Sequence, residues 1–236
     1  MKKLLLASLL SAVSFASSAT IVEIKTSQGI IKVNLFDQQT PHTVRNFLSY
    51  IEEAAYNQTV IHRSIDDFII QGGGYTFSDD FDAIATKAAV INEPVFSNVK
   101  GTIAMAKVGG KPNSATSQWF FNLKDNSQNL DVQNNGFTVF GQIMEGSQAT
   151  LDKIAALLHC GEVPVVNLTK EQCASKSHVN LVSIENMYVL DDDPNSAQAL
   201  SPTKNTLLEK NAESSGSMAW LLAAALLVLP RLKRKQ

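Results

Sequence analysis

Two alternating apolar runs joined by a three-residue turn open the body of the chain, and they constrain the fold more than any other feature. Ile21-Val-Glu-Ile-Lys-Thr26 and Ile30-Ile-Lys-Val-Asn-Leu-Phe36 flank Ser27-Gln28-Gly29. Successive side chains of a strand point to opposite faces, so two such runs around a glycine-ended turn make a β-hairpin with one apolar face. A hairpin cannot bury that face alone and needs further strands or helices against it. They follow as β-branched and aromatic runs at 59–65, 68–71, 102–106, 119–123, 138–143 and 181–190. Two stretches have a helical period instead. Thr40-Pro41 supplies an N-cap and a first-turn proline, and Val44, Phe47, Leu48 and Ile51 follow at i, i+3, i+4, i+7. Leu151, Ile154, Ala155 and Leu158 repeat that spacing and end near Gly161. No repeat of 20 to 50 residues is present, which excludes solenoids and propellers. The pattern predicts an all-β, mostly antiparallel fold, a closed barrel capped by two helices. Periodicity alone does not separate it from a sandwich.

The two ends differ from this body. All 22 acidic residues lie between Glu23 and Glu213, and six of the 20 basic ones lie outside that window, so the body holds 14 basic against 22 acidic residues. A net charge of −8 there argues against nucleic acid as a partner, since phosphate neutralisation needs a basic face. Residues 1–19 begin with Lys2-Lys3, continue through an apolar run and close on Ser17-Ser18-Ala19, the pattern of a secretory signal peptide cut after Ala19. Residues 218–236 hold an apolar run from Met218 to Pro230 and then Arg231-Leu-Lys-Arg-Lys235. Thirteen helical residues reach only about 20 Å, against a hydrocarbon core of about 30 Å. With Ser214-Ser-Gly-Ser217 before it, the tail resembles a bacterial glycine-glycine type sorting tag, with one glycine in place of two; a plain tail anchor is the alternative. The basic end would stay cytoplasmic, leaving the acidic body outside. Residues 191–217, rich in Asp, Asn, Ser and Ala, are expected to be a flexible linker.

Cys160 and Cys173 are the only cysteines. In an exported chain a disulfide is expected between them, two reduced thiols being the alternative. No zinc-finger spacing is present, and no metal site is expected. The chain lacks G-x-S-x-G, H-E-x-x-H and a phosphate loop. Gly72-Gly73-Gly74 is a lone glycine run, of the kind that makes a tight turn. One segment stands out: Ile61-His-Arg-Ser-Ile-Asp-Asp-Phe-Ile-Ile-Gln-Gly-Gly73. Arg63 is one of two arginines in the body and sits on a strand pattern, with Ile69 and Gln71 sharing a face of the next run.

That segment resembles the F-H-R-x-I-x-x-F-x-x-Q-G-G signature of the cyclophilin family of peptidyl-prolyl isomerases, here Ile61-His62-Arg63, Ile65, Phe68 and Gln71-Gly72-Gly73. Two more blocks follow in order, Gly101-Thr-Ile-Ala-Met-Ala106 and then Ser117-Gln118-Trp119-Phe120 with Val139-Phe140-Gly141. The resemblance runs from Ile21 to Leu190 and is nearest the bacterial periplasmic type. It implies an eight-stranded barrel over residues 20–190, no cofactor, and proline-containing polypeptides as partners of a monomer. It implies Arg63 as the catalytic arginine, oriented by Gln71, with Phe68, Ile69, Phe120 and Leu130 around the proline. Ala106, Lys107 and Gln118 would border the groove for residues before the proline, and His62 and Phe137 would complete the substrate surface. Asn129 and Lys107 replace the family's common aromatic residue and asparagine, so weak cyclosporin binding is expected. The function implied is rotation of X-Pro bonds in exported proteins, with a proline-binding chaperone of little turnover as the alternative.

Overall fold

In the computed structural model, residues 20–192, 197 and 200–208 are described. The signal peptide expected at 1–19 and the apolar, basic tail expected at 218–236 lie outside them. In chain order the elements are β1 (Ile21–Thr26), β2 (Gly29–Leu35), α1 (Pro41–Glu52), β3 (Arg63–Ile65), β4 (Ile69–Gly72), β5 (Tyr75–Phe77), β6 (Phe81–Ala83), β7 (Thr102–Met105), β8 (Trp119–Asn122), the single turn α2 (Ser127–Leu130), β9 (Val139–Ile143), α3 (Ser147–Ala155), β10 (Leu158–Cys160), β11 (Val163–Val165) and β12 (Ile184–Asp191). Eight of the strands form one antiparallel sheet in the order β12-β1-β2-β9-β7-β8-β4-β3. The hairpin expected from the first two runs is β1–β2, pairing Ile21 with Asn34 and Thr26 with Gly29.

The sheet curls around a core that includes Val22, Ile24, Val33, Leu35, Ile70, Ile103, Trp119, Phe121 and Phe140. Both long helices cover it. α1 sends Val44, Phe47 and Ile51 into the core, and α3 sends Leu151 and Ile154. Two expectations need correction here. Leu158, the last member of the second helical stripe, belongs to β10, because the helix ends at Ala155 and the chain turns into the β10–β11 hairpin. The barrel is not closed by strand pairing, since β12 and β3 are the two edges of the ladder. The seam is bridged by the segment before β3: Gln58 N–H donates to Ile184 O at 2.8 Å and Ile61 N–H to Val182 O at 2.9 Å. β3 is three residues long, too short to pair along the eight-residue β12.

Residues 200–208, within the stretch expected to be a linker, lie against the body. Ser97 N–H donates to Thr203 O at 2.8 Å, Asn205 N–H to Val95 O at 2.9 Å, and the Asn205 amide to Asp131 O at 2.9 Å. Leu200 packs against the apolar cluster of Phe36, Phe96 and Phe120. A polar composition forecast a free tether, but backbone groups meeting an exposed extended edge satisfy one another whatever the side chains are. No helix among the described residues is long and apolar enough to cross a membrane.

Candidate active site

The edge strand β3, its neighbour β4 and the turn between them carry most of the signature residues. Arg63 and Gln71 stand opposite each other in the β3–β4 register, and Gln71 faces Phe120 across the β4–β8 pair. Alternation then puts Ile69, two residues from Gln71, on the same side. Ala106 and Lys107 follow β7, and Leu130 ends α2. Together with His62, Phe68, Gln118 and Phe137 these side chains line one cleft of about 650 Å³. Every substrate-contacting residue expected from the sequence is therefore at one place. Tyr75, Asn129 and Gln133 complete the lining.

The floor is apolar and fixed. Ile69, Phe120 and Leu130 are buried, and Phe120 meets the edge of Phe137 with ring centroids 5.8 Å apart. A network of buried amides holds the loops beneath. Asn126 donates to Phe68 O at 2.9 Å and to Asn122 Oδ1 at 2.8 Å, Asn122 donates to Thr102 Oγ1 at 2.9 Å, and Asp131 Oδ1 accepts from the Asn98 backbone at 2.7 Å. The network ties these loops to one another, and Asp131 Oδ2 is its one buried oxygen without a partner among the described residues. The glycine run serves packing. Gly73 has φ +76°, and a Cβ there would lie 2.5 Å from Trp119 Nε1; a Cβ on Gly74 would lie 2.7 Å from Gln118. Only glycines let Trp119 and Gln118 approach this backbone so closely.

The polar groups divide by position. Gln71 donates to Gln118 Oε1 at 2.8 Å, so its own hydrogen bond goes to the second amide rather than to the arginine it was expected to orient. Arg63 Nε donates instead to Glu162 Oε2 at 2.6 Å. Glu162 sits in the β10–β11 turn, 99 residues away in sequence, and no local motif flags it. Lys107 bends back over the cleft wall. Its ammonium donates to Asn134 O at 2.9 Å and to Gly136 O, and lies 4.8 Å from the Phe137 ring centroid. Burial lowers its pKa to about 8. His62 packs edge-on to Tyr75 at 4.9 Å. Burial pulls its pKa down to about 4 against hydrogen bonds to the Val60 backbone and Gln118, so the ring is neutral at pH 7. Cys160 and Cys173 form a disulfide with Cα atoms 5.4 Å apart, next to Glu162 in the chain.

A curled antiparallel sheet, two covering helices and an arginine at the rim of an apolar cleft agree with what comparison with known proteins returns. The family described as cyclophilin type peptidyl-prolyl cis-trans isomerase matches residues 21–186, and the chain belongs to it. It is an enzyme of that reaction. A peptidyl-prolyl cis-trans isomerase of Acinetobacter baylyi is 37% identical over 173 residues, covering 72% of this chain and 87% of that one. Peptidyl-prolyl cis-trans isomerase B of Escherichia coli is 39% identical over 140 residues, covering 57% and 83%. Among solved structures, a cyclophilin type isomerase of Cryptosporidium parvum shares the fold with a TM-score of 0.54 at 24% identity, covering 74% of this chain and 99% of that one.

Proposed function

We propose that this isomerase acts outside the cytoplasm on proline-containing polypeptides as they fold, and that Arg63 is its catalytic residue. The observation that carries the assignment is the Arg63 guanidinium on the rim of a cleft whose floor is Ile69, Phe120 and Leu130.

An X-Pro bond rotates slowly because nitrogen donates its lone pair into the carbonyl, which sets a barrier of about 18–20 kcal/mol. In the twisted transition state the lone pair localises on nitrogen, and the nitrogen accepts a hydrogen bond better than it does in the planar form. A donor fixed there stabilises the transition state over the ground state, which is what lowers a barrier. Arginine serves because it keeps its charge and its planar fork is pre-organised. One charge-assisted hydrogen bond contributes about 1.5–3 kcal/mol. A 10⁵-fold acceleration needs about 7 kcal/mol, so the pocket must add to it by holding the ring and lowering local polarity. Phe68, Ile69, Phe120 and Leu130 take the proline ring in this reading, and Ala106, Lys107 and Gln118 border the preceding residues. No bond is made or broken, so the reaction requires no nucleophile or cofactor.

The secretory pattern of residues 1–19 and the basic-ended apolar run at 218–236 support export and a membrane tether. A disulfide suits an oxidising compartment.

Exchange NMR on an Ala-Pro peptide tests the assignment. Wild-type protein speeds cis-trans exchange, and Arg63→Ala loses about 10²-fold of that effect, as removal of one transition-state donor does elsewhere. A variant as fast as wild type would take the catalytic role from Arg63. A folded wild-type protein that binds the peptide without speeding exchange would favour the chaperone reading.

A further inference from the structure

The β10–β11 hairpin grips two successive residues of β3 with one residue of its own. Ser64 N–H donates to the Glu162 backbone oxygen at 2.6 Å, and Arg63 Nε donates to the Glu162 carboxylate at 2.6 Å. The hairpin is itself braced. The Cys160–Cys173 disulfide ties its first strand to the following 3₁₀ turn, and Leu158, Cys160 and Val163 pack on Val60, Phe77 and Leu181. The backbone of Glu162 is thereby anchored on β3, and its carboxylate has a short, defined reach to the arginine.

A guanidinium is rigid and planar, so fixing one edge fixes where the other points. With Nε committed to Glu162, the two Nη groups are the donors left for the cleft. Gln71, opposite Arg63, is committed to Gln118. Resting on the isomerase reading with Arg63 as catalytic residue, we infer that Glu162 is the positioning residue of the reaction: it holds the Arg63 guanidinium with its Nη edge toward the X-Pro nitrogen. Arg63 in turn holds the Glu162 carboxyl below the usual carboxylate range, which keeps the acceptor charged. The Glu162 side chain is about half exposed, so its contribution is orientation in a screened pair rather than a buried charge.

The test is exchange NMR over a range of peptide concentrations on wild type, Glu162→Ala and Glu162→Gln, with ¹⁵N spectra of the arginine side chains. The expected result for Glu162→Ala is a fall in kcat of about three- to tenfold with KM unchanged, because the donor is present but no longer aimed. Glu162→Gln, which keeps an acceptor at the same reach, retains more of kcat than Glu162→Ala. The Arg63 Nε–H resonance, distinct in wild type, moves to the position of a freely rotating arginine in Glu162→Ala. Wild-type kcat in Glu162→Ala would overturn the inference, and so would a lower KM at unchanged kcat, which would make Glu162 a competitor of the substrate. A wild-type protein that fails to speed exchange would remove the isomerase reading itself, and the inference with it.

Discussion

His62 shows how a side chain inside the signature carries a pH dependence of its own. Its folded pKa is about 4, lowered by burial from an ordinary value of 6.5. Between those values the unfolded chain binds a proton that the folded chain does not, so stability falls as pH drops from about 6.5 toward 4. The size is on the order of 2–3 kcal/mol across the window. Urea unfolding of wild type at pH 7, 5.5 and 4.5 should show that loss, and His62→Gln should flatten it; an equal slope in the variant would place the proton elsewhere. Arg63, Gln71 and Phe68 could be read from the sequence because they stand within nine residues of one another, on β3, on β4 and in the turn between them. Glu162 could not, because its relation to Arg63 exists only once a hairpin 99 residues later folds over β3.

At the scale of elements, α1 shows a cap that comes from elsewhere. Thr40-Pro41 marks the helix start correctly, yet Thr40 makes no side-chain cap and donates to Phe36 O at 3.1 Å. The free amides of the first turn go to a distant loop: His42 N–H and Thr43 N–H donate to the Glu93 carboxylate at 3.2 and 2.9 Å, and Thr43 Oγ1 donates to it at 2.8 Å. A carboxylate there also meets the positive end of the helix. Glu93→Ala is expected to cost about 1–2 kcal/mol, as loss of a good cap does, with Glu93→Gln costing less. The denaturation midpoint measures this, and because Glu93 lies outside the cleft lining, turnover should stay at the wild-type value. The segment 200–208 follows the same logic in reverse. It looks like linker by composition, and it docks because Val95 and Ser97 present unpaired backbone groups to it.

For the molecule as a whole, the disulfide is the cross-link that matters. It spans 13 residues of sequence. Loop entropy alone assigns such a bridge about 3 kcal/mol. Replacing both Cys160 and Cys173 with Ser should lower the melting temperature by roughly 6–12 °C for a domain of this size. A scan of the double variant under oxidising conditions checks it, and an unchanged melting temperature would mean that the hairpin packs as well without its bridge.

The eight strands of the main sheet, the two covering helices, the cysteine pair and most of the residues that meet in the cleft were legible in the sequence, whereas the β5–β6 and β10–β11 hairpins were not. The legible features rest on alternation, helical period and a short signature, all of which are local. That β3 and β12 do not pair at the seam, that Glu93 caps α1, that 200–208 lies along the body, and that Glu162 rather than Gln71 hydrogen-bonds the arginine is visible only in the folded chain. Each of those depends on which backbone and side-chain groups are left without partners after the sheet curls. That is a property of long-range proximity, and no window of neighbouring residues contains it.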